Sequence, residues 1–275
     1  MSALFEPFEL RFMQLALAEV ALLSVLAGVL GTHIVLRRLA FFTHGTGTAA
    51  FPGLVAAGPL GVPPALAALA AGTAFAAGFE PLTRRARLGS DAATALLLVG
   101  ALALGAVLAS DVFESPAGVD RLLFGSLLAV SSSDLVLSGG IVALALAAQA
   151  LSGRAWVAGG FDGPSGPGLG LPTVWADRLL TSLIALAVVA SLDAVGALLV
   201  SAILVIPAAT ARLLAGRVST LRRVAFSLAL AEGVAGLWIA YQLDAPPGPV
   251  IAVLGASGFA LVAVARHLRA RQAVA

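Results

Sequence analysis

Four polar side chains stand within apolar stretches of the sequence, and their residue types limit the chemistry they can do. Glu19 and Glu232 each lie inside a long apolar run, while His44 and Thr48 lie close to the start of another. An ionisable group inside a membrane span costs about 2.5–3.5 kcal/mol on insertion scales, so it usually faces a cavity or a partner. Imidazole is a ligand for zinc, copper, iron or nickel. The four residues are therefore the candidate lining of a path for a polar or charged substrate.

Each of these residues also has a purely structural interpretation. His44 and Thr48 are four residues apart, which places them on one face of a helix. One histidine is not a metal site, and threonine hydroxyls in membrane helices usually bond across to another helix. On spacing alone, a packed helix–helix contact is favoured over a metal site at His44. Glu19 and Glu232 either form hydrogen bonds within the bundle or line the substrate path, and both alternatives stay open.

Two residue types that many enzymes need are missing from the chain. It contains no cysteine, which excludes thiol and cysteine–metal chemistry. It also contains no lysine, which excludes a Schiff base and a nucleotide-binding P-loop, because the P-loop lysine contacts the phosphates. None of the histidines, His33, His44 and His267, has a convincing serine and acid partner. The sequence therefore predicts a protein that is not an enzyme and carries no cofactor of its own.

The composition requires a membrane. Of the 275 residues, 60% are hydrophobic and 11% are charged, whereas soluble domains are about 25% charged. Apolar runs of about 17–25 residues recur, the length that a helix needs to cross a bilayer core of about 30 Å. Backbone groups in lipid must be paired within their own segment, which favours helices. We therefore predict an all-α, polytopic transmembrane helix bundle in the cytoplasmic membrane, a single domain over residues 1–275 in contact with lipid.

About nine apolar runs are predicted to span the membrane. They cover residues 12–36, 46–59, 62–79, 91–109, 134–151, 174–191, 194–213, 222–242 and 248–265. The second run is short and rich in glycine. The segment Leu122–Val130 is too short to cross a bilayer, so we predict a surface helix or a broken helix there.

The basic residues predict the orientation of the chain. If the N-terminus is outside and each span crosses once, only Arg11 and Arg121 of the 16 arginines lie outside. Basic residues concentrate in the cytoplasmic loops of membrane proteins, so the chain is predicted to be N-out and C-in. The same distribution explains the excess of basic charge without a nucleic-acid partner.

One long loop, Ser152–Pro172, is predicted on the cytoplasmic side. It is rich in glycine and proline, which cost about 1 and 3 kcal/mol respectively inside a helix. A flexible linker is one interpretation of this segment, and a docking surface for a cytoplasmic partner is the other. The composition disfavours an ordered helix at its centre in either case.

Three regions of the sequence resemble the integral membrane subunit of the bacterial zinc/manganese/iron importers of the ABC type. The first is Gly28–Val55, a glycine-rich span end followed by a basic pair. The second is Phe161–Pro172, with a phenylalanine–aspartate start and a glycine–apolar–proline finish. The third is Val195–Arg217, a run of small residues ending in proline, alanine, threonine and arginine, followed by the turn and span of Tyr241–Leu254. The match covers most of the chain in the right order.

The resemblance implies an ABC importer permease of the type II-like class, which moves divalent metal ions by alternating access in a homodimer. It implies cytoplasmic ABC ATPase subunits that bind ATP and magnesium, and an extracellular solute-binding protein. It also places the ATPase-docking segment at residues 152–173. The residues that match the docking pattern are Phe161, Asp162, Gly170 and Pro172.

The chain departs from the family pattern at the metal path. When Arg37 and Arg38 are aligned with the family's basic pair, His44 stands where the family has an aspartate and Thr48 where it has a histidine. His44 is therefore the candidate metal ligand, and Thr48, Glu232 and Glu19 complete the expected path. The change leaves two alternatives: a permease of the same fold for a non-metal or metal-chelate substrate, or a membrane scaffold that does not transport.

Overall fold

The computed structural model describes residues 6–112, 127–161 and 172–272, and every regular element in these ranges is a helix. The helices are α1 (Arg11–Leu36), α2 (Ala40–Ala49), α3 (Phe51–Leu60), α4 (Pro64–Arg84), α5 (Ser90–Val107), α6 (Ser132–Phe161), α7 (Thr173–Ala190), α8 (Leu192–Val195), α9 (Ala197–Leu214), α10 (Val218–Leu243) and α11 (Pro247–Gln272). Short 3-10 turns stand at Glu6–Glu9 and Leu127–Ala129. The predicted all-α fold is confirmed.

The described part of the chain contains 6 helices that are long and apolar enough to cross a membrane, namely α1, α4, α5, α6, α10 and α11. They coincide with the predicted spans 12–36, 62–79, 91–109, 134–151, 222–242 and 248–265. A shorter apolar stretch, Leu199–Leu214 in α9, matches the predicted span 194–213. The total of about nine spans and the N-out, C-in orientation stay predictions.

The predicted span 46–59 is two helices in the structure. α2 ends at Ala49 and α3 begins at Phe51. Pro52 lies in the first turn of α3, where a missing N–H is tolerated, so the proline favours a new helix start over continuation of α2. α3 ends at Gly61, whose φ of 63° is the left-handed conformation that commonly closes a helix.

The prediction of a loop beginning at Ser152 was wrong, because α6 continues as a helix to Phe161. Trp156 lies in this extension and is fully buried. Gly159 faces the end of α1, where a Cβ would overlap the Arg37 guanidinium. Packing of this extension on α1 therefore outweighs the low helix propensity of its glycines. Of the predicted surface helix at Leu122–Val130, residues 122–126 lie outside the described ranges.

α1 is the central helix of the bundle, and most of its length is buried. It packs against α6, α9 and α10, and it contains a π-helical turn at Ala27–Gly31. A Cβ on Gly28 would lie 3.1 Å from the Arg222 carbonyl oxygen of α10, and one on Gly31 would overlap the Leu204 carbonyl oxygen of α9. The helix backbones therefore touch at this turn, a contact that small residues permit in membrane helices.

Replacing Gly31 with alanine is expected to lower the free energy of unfolding by about 1–3 kcal/mol, because the added methyl group meets backbone that cannot move aside cheaply. Gly100→Ala in α5 is the matched control, since no described atom lies within 4 Å of its Cβ. Thermal unfolding of the two variants in detergent measures the difference. Equal stability of both variants would contradict the close crossing of α1 and α9.

Candidate substrate path

Helix α2 carries both His44 and Thr48, and other helices enclose it. It packs against α4, α5, α7 and α9. The chain enters α2 through Arg38, a non-glycine residue with a φ of 57°, and the Leu39 N–H donates to the Ile34 carbonyl oxygen at 2.8 Å. This tight connection fixes the start of α2 against the end of α1.

His44 and Thr48 are both half-buried, and α2 is helical through both, as their spacing predicts. The His44 Nδ1 lies 3.4 Å from the Ser201 Oγ of α9, which is at the long end of hydrogen-bond distances. The Thr48 hydroxyl donates to the His44 carbonyl oxygen within α2 at 3.3 Å. The imidazole is thus the group of this pair that reaches across to another helix.

A close helix–helix contact of the kind predicted for this stretch occurs at Gly45, next to His44. A Cβ on Gly45 would lie 2.9 Å from the Thr94 Cγ2 of α5 and 3.1 Å from the Phe75 Cζ of α4. Gly45 is buried, whereas His44 and Thr48 keep part of their surface exposed. Helix packing and an accessible imidazole therefore coexist on neighbouring residues of α2.

Glu232 is half-buried in α10, and its carboxylate lies next to α11. A Cβ on Gly255 would lie 2.8 Å from the Glu232 Oε2 and 3.4 Å from the Ile206 Cγ2, and one on Gly258 would lie 3.9 Å from the Oε1. The two glycines of α11 therefore leave the space that the carboxylate occupies. No described residue forms a hydrogen bond with this carboxylate.

Glu19 is fully buried in α1. The Ser138 hydroxyl of α6 donates to its Oε1 at 2.8 Å, while its Oε2 is buried without a hydrogen-bond partner among the described residues. A buried polar group is costly unless it is hydrogen-bonded, so the Ser138 bond stabilises the α1–α6 contact. A place for Glu19 on the substrate path stays a prediction.

The structure brings His44, Thr48 and Ser201 together but not the two glutamates. The Glu232 carboxylate lies beside Gly255 of α11, and the Glu19 carboxylate accepts a hydrogen bond from Ser138 of α6. In the described part of the chain, no group of three or more histidine, cysteine, aspartate or glutamate residues could hold a metal ion.

Two of the predicted docking residues, Phe161 and Pro172, lie at the end of the bundle where α6 stops and α7 begins. Phe161 closes α6 with 69% of its surface exposed, and Pro172 is exposed just before α7. Asp162 and Gly170 lie outside the described residues. The role of this region in docking stays a prediction.

A cleft of about 540 Å³ opens at the same end of the bundle, between the ends of α1, α4, α6, α7 and α9. The charged residues that line it are Arg37, Arg38, Arg84, Arg178, Arg212, Glu80 and Asp177. The orientation predicted from the sequence places this arginine-rich end in the cytoplasm.

Ion pairs join three helices around this cleft. Asp177 of α7 pairs with Arg37 of α1 and with the Arg84 Nη2 of α4, the latter at 2.8 Å. Glu80 of α4 pairs with Arg178 of α7 at 2.7 Å. The Arg37 side chain is only 10% exposed, so water screens its pair with Asp177 less than an exposed pair.

A model of the ABC 3 transport family matches residues 9–267 of the chain. The chain belongs to the ABC 3 transport family. The manganese transport system membrane protein MntC of Halalkalibacterium halodurans is 32% identical over 250 residues, which cover 91% of this chain and 86% of that protein. The chelated iron transport system membrane protein YfeD of Yersinia pestis is 28% identical over 268 residues, or 98% of this chain and 90% of that one.

The fold of this ABC 3 family member is similar to a solved structure, PsaBC from Streptococcus pneumoniae in complex with Fab. The two chains superpose with a TM-score of 0.81 at 26% identity, over 95% of this chain and 94% of the other. The resemblance drawn from the sequence is confirmed, and this chain is a multi-pass membrane protein of the ABC 3 family.

Sequence reasoning missed three residues that the ABC 3 fold places at the candidate path or at the cleft beside the predicted docking residues. Ser201 faces His44, and its only signal is a hydroxyl within the apolar run of α9. Asp177 and Glu80 were not singled out, although each is an acid close to arginines in the sequence. Their pairing follows from the fold, since 140 residues separate Arg37 from Asp177.

Proposed function

We propose that this chain is the permease subunit of an ATP-driven importer for divalent metal ions, working by alternating access as a homodimer. A separate ABC ATPase binds and hydrolyses ATP with magnesium, and an extracellular solute-binding protein delivers the metal. The names of the relatives as manganese and chelated-iron transport proteins support this substrate class. The observation that carries it is the half-buried imidazole of His44, which reaches Ser201 across the contact of α2 with α9.

The chemistry of the path is one imidazole among weaker oxygen ligands. His44 supplies the nitrogen, and the hydroxyls of Thr48 and Ser201 supply neutral oxygens nearby. Conduction needs binding that admits an ion yet releases it, so a sparse ligand set suits passage better than storage. No covalent chemistry on the substrate is required of any residue.

Glu232→Gln is expected to lower metal uptake severalfold, because the variant removes an intramembrane carboxylate that no described residue holds by a hydrogen bond. Glu19→Gln is the matched comparison, since Glu19 is fully buried and bonded to Ser138, and its loss of uptake is expected to be the smaller of the two. Initial rates of uptake into vesicles measure both. A larger loss from Glu19→Gln would place the carboxylate of the path on α1 instead.

The permease role is tested by assembly with its partners. The chain, co-expressed with the ATPase and the solute-binding protein of its own transport system, is expected to purify with the ATPase. Metal-loaded binding protein is then expected to raise ATP hydrolysis above the level with metal-free binding protein. A chain that never binds an ATPase would contradict the proposal and favour a scaffold that does not transport.

A metal chelate is the second candidate substrate. In the described part of the chain, His44 belongs to no group of three or more histidine, cysteine, aspartate or glutamate residues that could hold a bare metal ion, and YfeD is named for chelated iron. Uptake of an iron chelate without uptake of free manganese, zinc or iron would favour this candidate.

A further inference from the structure

Arg37, at the C-terminal end of α1, holds two other helices at once. Its Nη2 and Nε donate to the Trp156 carbonyl oxygen of α6 at 3.0 and 3.3 Å, and its Nη1 donates to the Asp177 carboxylate of α7. The guanidinium presents its donors in a fixed planar fork. One side chain therefore sets the position of Trp156 relative to Asp177.

The end of α6 and the start of α7 are also tied directly to each other. The Trp156 Nε1 donates to the Ala176 carbonyl oxygen at 2.7 Å, and the indole is fully buried. His33 of α1 packs edge-on against the indole, with ring centroids 5.2 Å apart. The ends of α1 and α6 and the start of α7 thus form one cluster of contacts, which we call the α1–α6–α7 junction (His33, Arg37, Trp156, Ala176 and Asp177).

This junction stands between the two functional regions of the chain. Trp156 and Asp177 lie on the two helices that flank Phe161 and Pro172, where the proposed function places the ATPase. In the other direction, Arg37 is followed at once by the tight connection into α2, and His44 lies about one helical turn into that helix. A displacement of the α6 and α7 ends therefore acts on the start of the helix that carries the imidazole.

We propose that Arg37 is a positioning residue that transmits the movement of the ATPase-docking region to the substrate path. The inference rests on the proposed function and adds to it the residue that links ATP hydrolysis to metal movement. Energetic coupling between sites is carried by packed side chains and ion-pair networks that have alternative arrangements. Arg37 belongs to a packed ion-pair network of this kind, because its nearly buried side chain joins both flanks of the docking region to α1.

Arg84 provides the matched control within the same ion-pair network. It also pairs with Asp177, at 2.8 Å, but its other ion-pair partner is Glu80 of its own helix. Among the described contacts, it makes no hydrogen bond to α6. Replacing Arg84 removes one of the two arginines that pair with Asp177. The bonds from Arg37 to α6 and α7 remain in place.

The experiment compares Arg37→Gln with Arg84→Gln in the full complex of permease, ATPase and binding protein, reconstituted in vesicles. The number of manganese ions taken up per ATP hydrolysed is measured in the same sample. Coupling between sites commonly amounts to about 5–150-fold, so we expect Arg37→Gln to lower this ratio by about tenfold while ATP hydrolysis continues. Arg84→Gln is expected to keep the ratio of the wild type.

An unchanged ratio in an assembled Arg37→Gln complex would overturn the inference and leave the proposed function intact. If this variant does not assemble, the same ratio is measured for Trp156→Phe, because this variant keeps a buried aromatic ring and loses the indole N–H that donates to Ala176. Its ratio is expected to fall below that of Trp175→Phe, whose indole is 60% exposed, and equal ratios would overturn the inference. A wild-type complex that takes up no divalent metal would instead refute the proposed function, and the inference with it.

Discussion

Replacing His44 with alanine is expected to lower ATP-dependent metal uptake by about 10–100-fold, the loss that removal of a group supporting a metal site typically causes. The imidazole is the nitrogen ligand of the candidate path, and the neighbouring oxygens of Thr48 and Ser201 are weaker ligands. The complex is expected to assemble normally, since His44 is only half-buried. Uptake of labelled manganese by reconstituted vesicles measures the effect.

His267→Ala is the matched control for this prediction. His267 is an exposed residue near the end of α11, so its loss is expected to leave uptake unchanged. Amounts of the permease and ATPase in the vesicles are compared for both variants. Wild-type uptake by His44→Ala would remove this imidazole from the path and would favour a path that uses Glu232 alone.

Replacing Trp156 with alanine is expected to lower the free energy of unfolding by about 3–5 kcal/mol, the usual cost of deleting a buried tryptophan. The indole is fully buried, donates to the Ala176 carbonyl oxygen and packs against His33. Its loss opens a cavity and leaves the Ala176 carbonyl without this donor. The change is measured by thermal unfolding in detergent, with the fraction of protein that stays monodisperse after heating as the readout.

Trp175→Ala is the control, because Trp175 lies in α7, close to the same junction in sequence, but is 60% exposed. Its substitution is expected to change the free energy of unfolding by no more than about 0.5 kcal/mol. Equal losses from Trp156→Ala and Trp175→Ala would contradict the helical extension of α6 to Phe161. Such a result would restore the loop predicted from Ser152.

The long helices could be predicted from the sequence because one physical requirement, the thickness of the bilayer core, determines their length and apolar composition. A bilayer core requires about 20 apolar residues for each crossing, and the runs at α1, α4, α5, α10 and α11 satisfy it without ambiguity. The break between α2 and α3 was missed, although Pro52 marks it. The surrounding run is apolar throughout, and hydropathy does not register a helix boundary inside it.

The end of α6 could not be predicted from local composition. Gly153, Gly159 and Gly160 lower helix propensity, yet the helix persists because Trp156 and Arg37 pack this segment against α1 and α7. The Arg37 contacts join residues more than 100 positions apart in the chain, so no local sequence pattern predicts them.

Only part of the candidate site could be predicted from the sequence, because some of its contacts also join residues that are far apart in the chain. The resemblance identified His44 and Thr48 from their place after the basic pair, and α2 does carry both on one helix. Their neighbour Ser201 stands 157 residues away from His44, and only the packing of α2 on α9 brings it close. The two glutamates were singled out as intramembrane acids, but the fold was needed to place Glu232 beside α11 and Glu19 beside α6.

Uptake of metal by the reconstituted wild-type complex tests the proposed function most directly. The permease, its ATPase and its solute-binding protein are placed in vesicles, and manganese, zinc and iron are offered one at a time with and without ATP. We expect ATP-dependent accumulation of at least one of these ions, abolished when the binding protein is omitted. A complex that hydrolyses ATP but accumulates none of the three would contradict the assignment of divalent metal ions as its cargo.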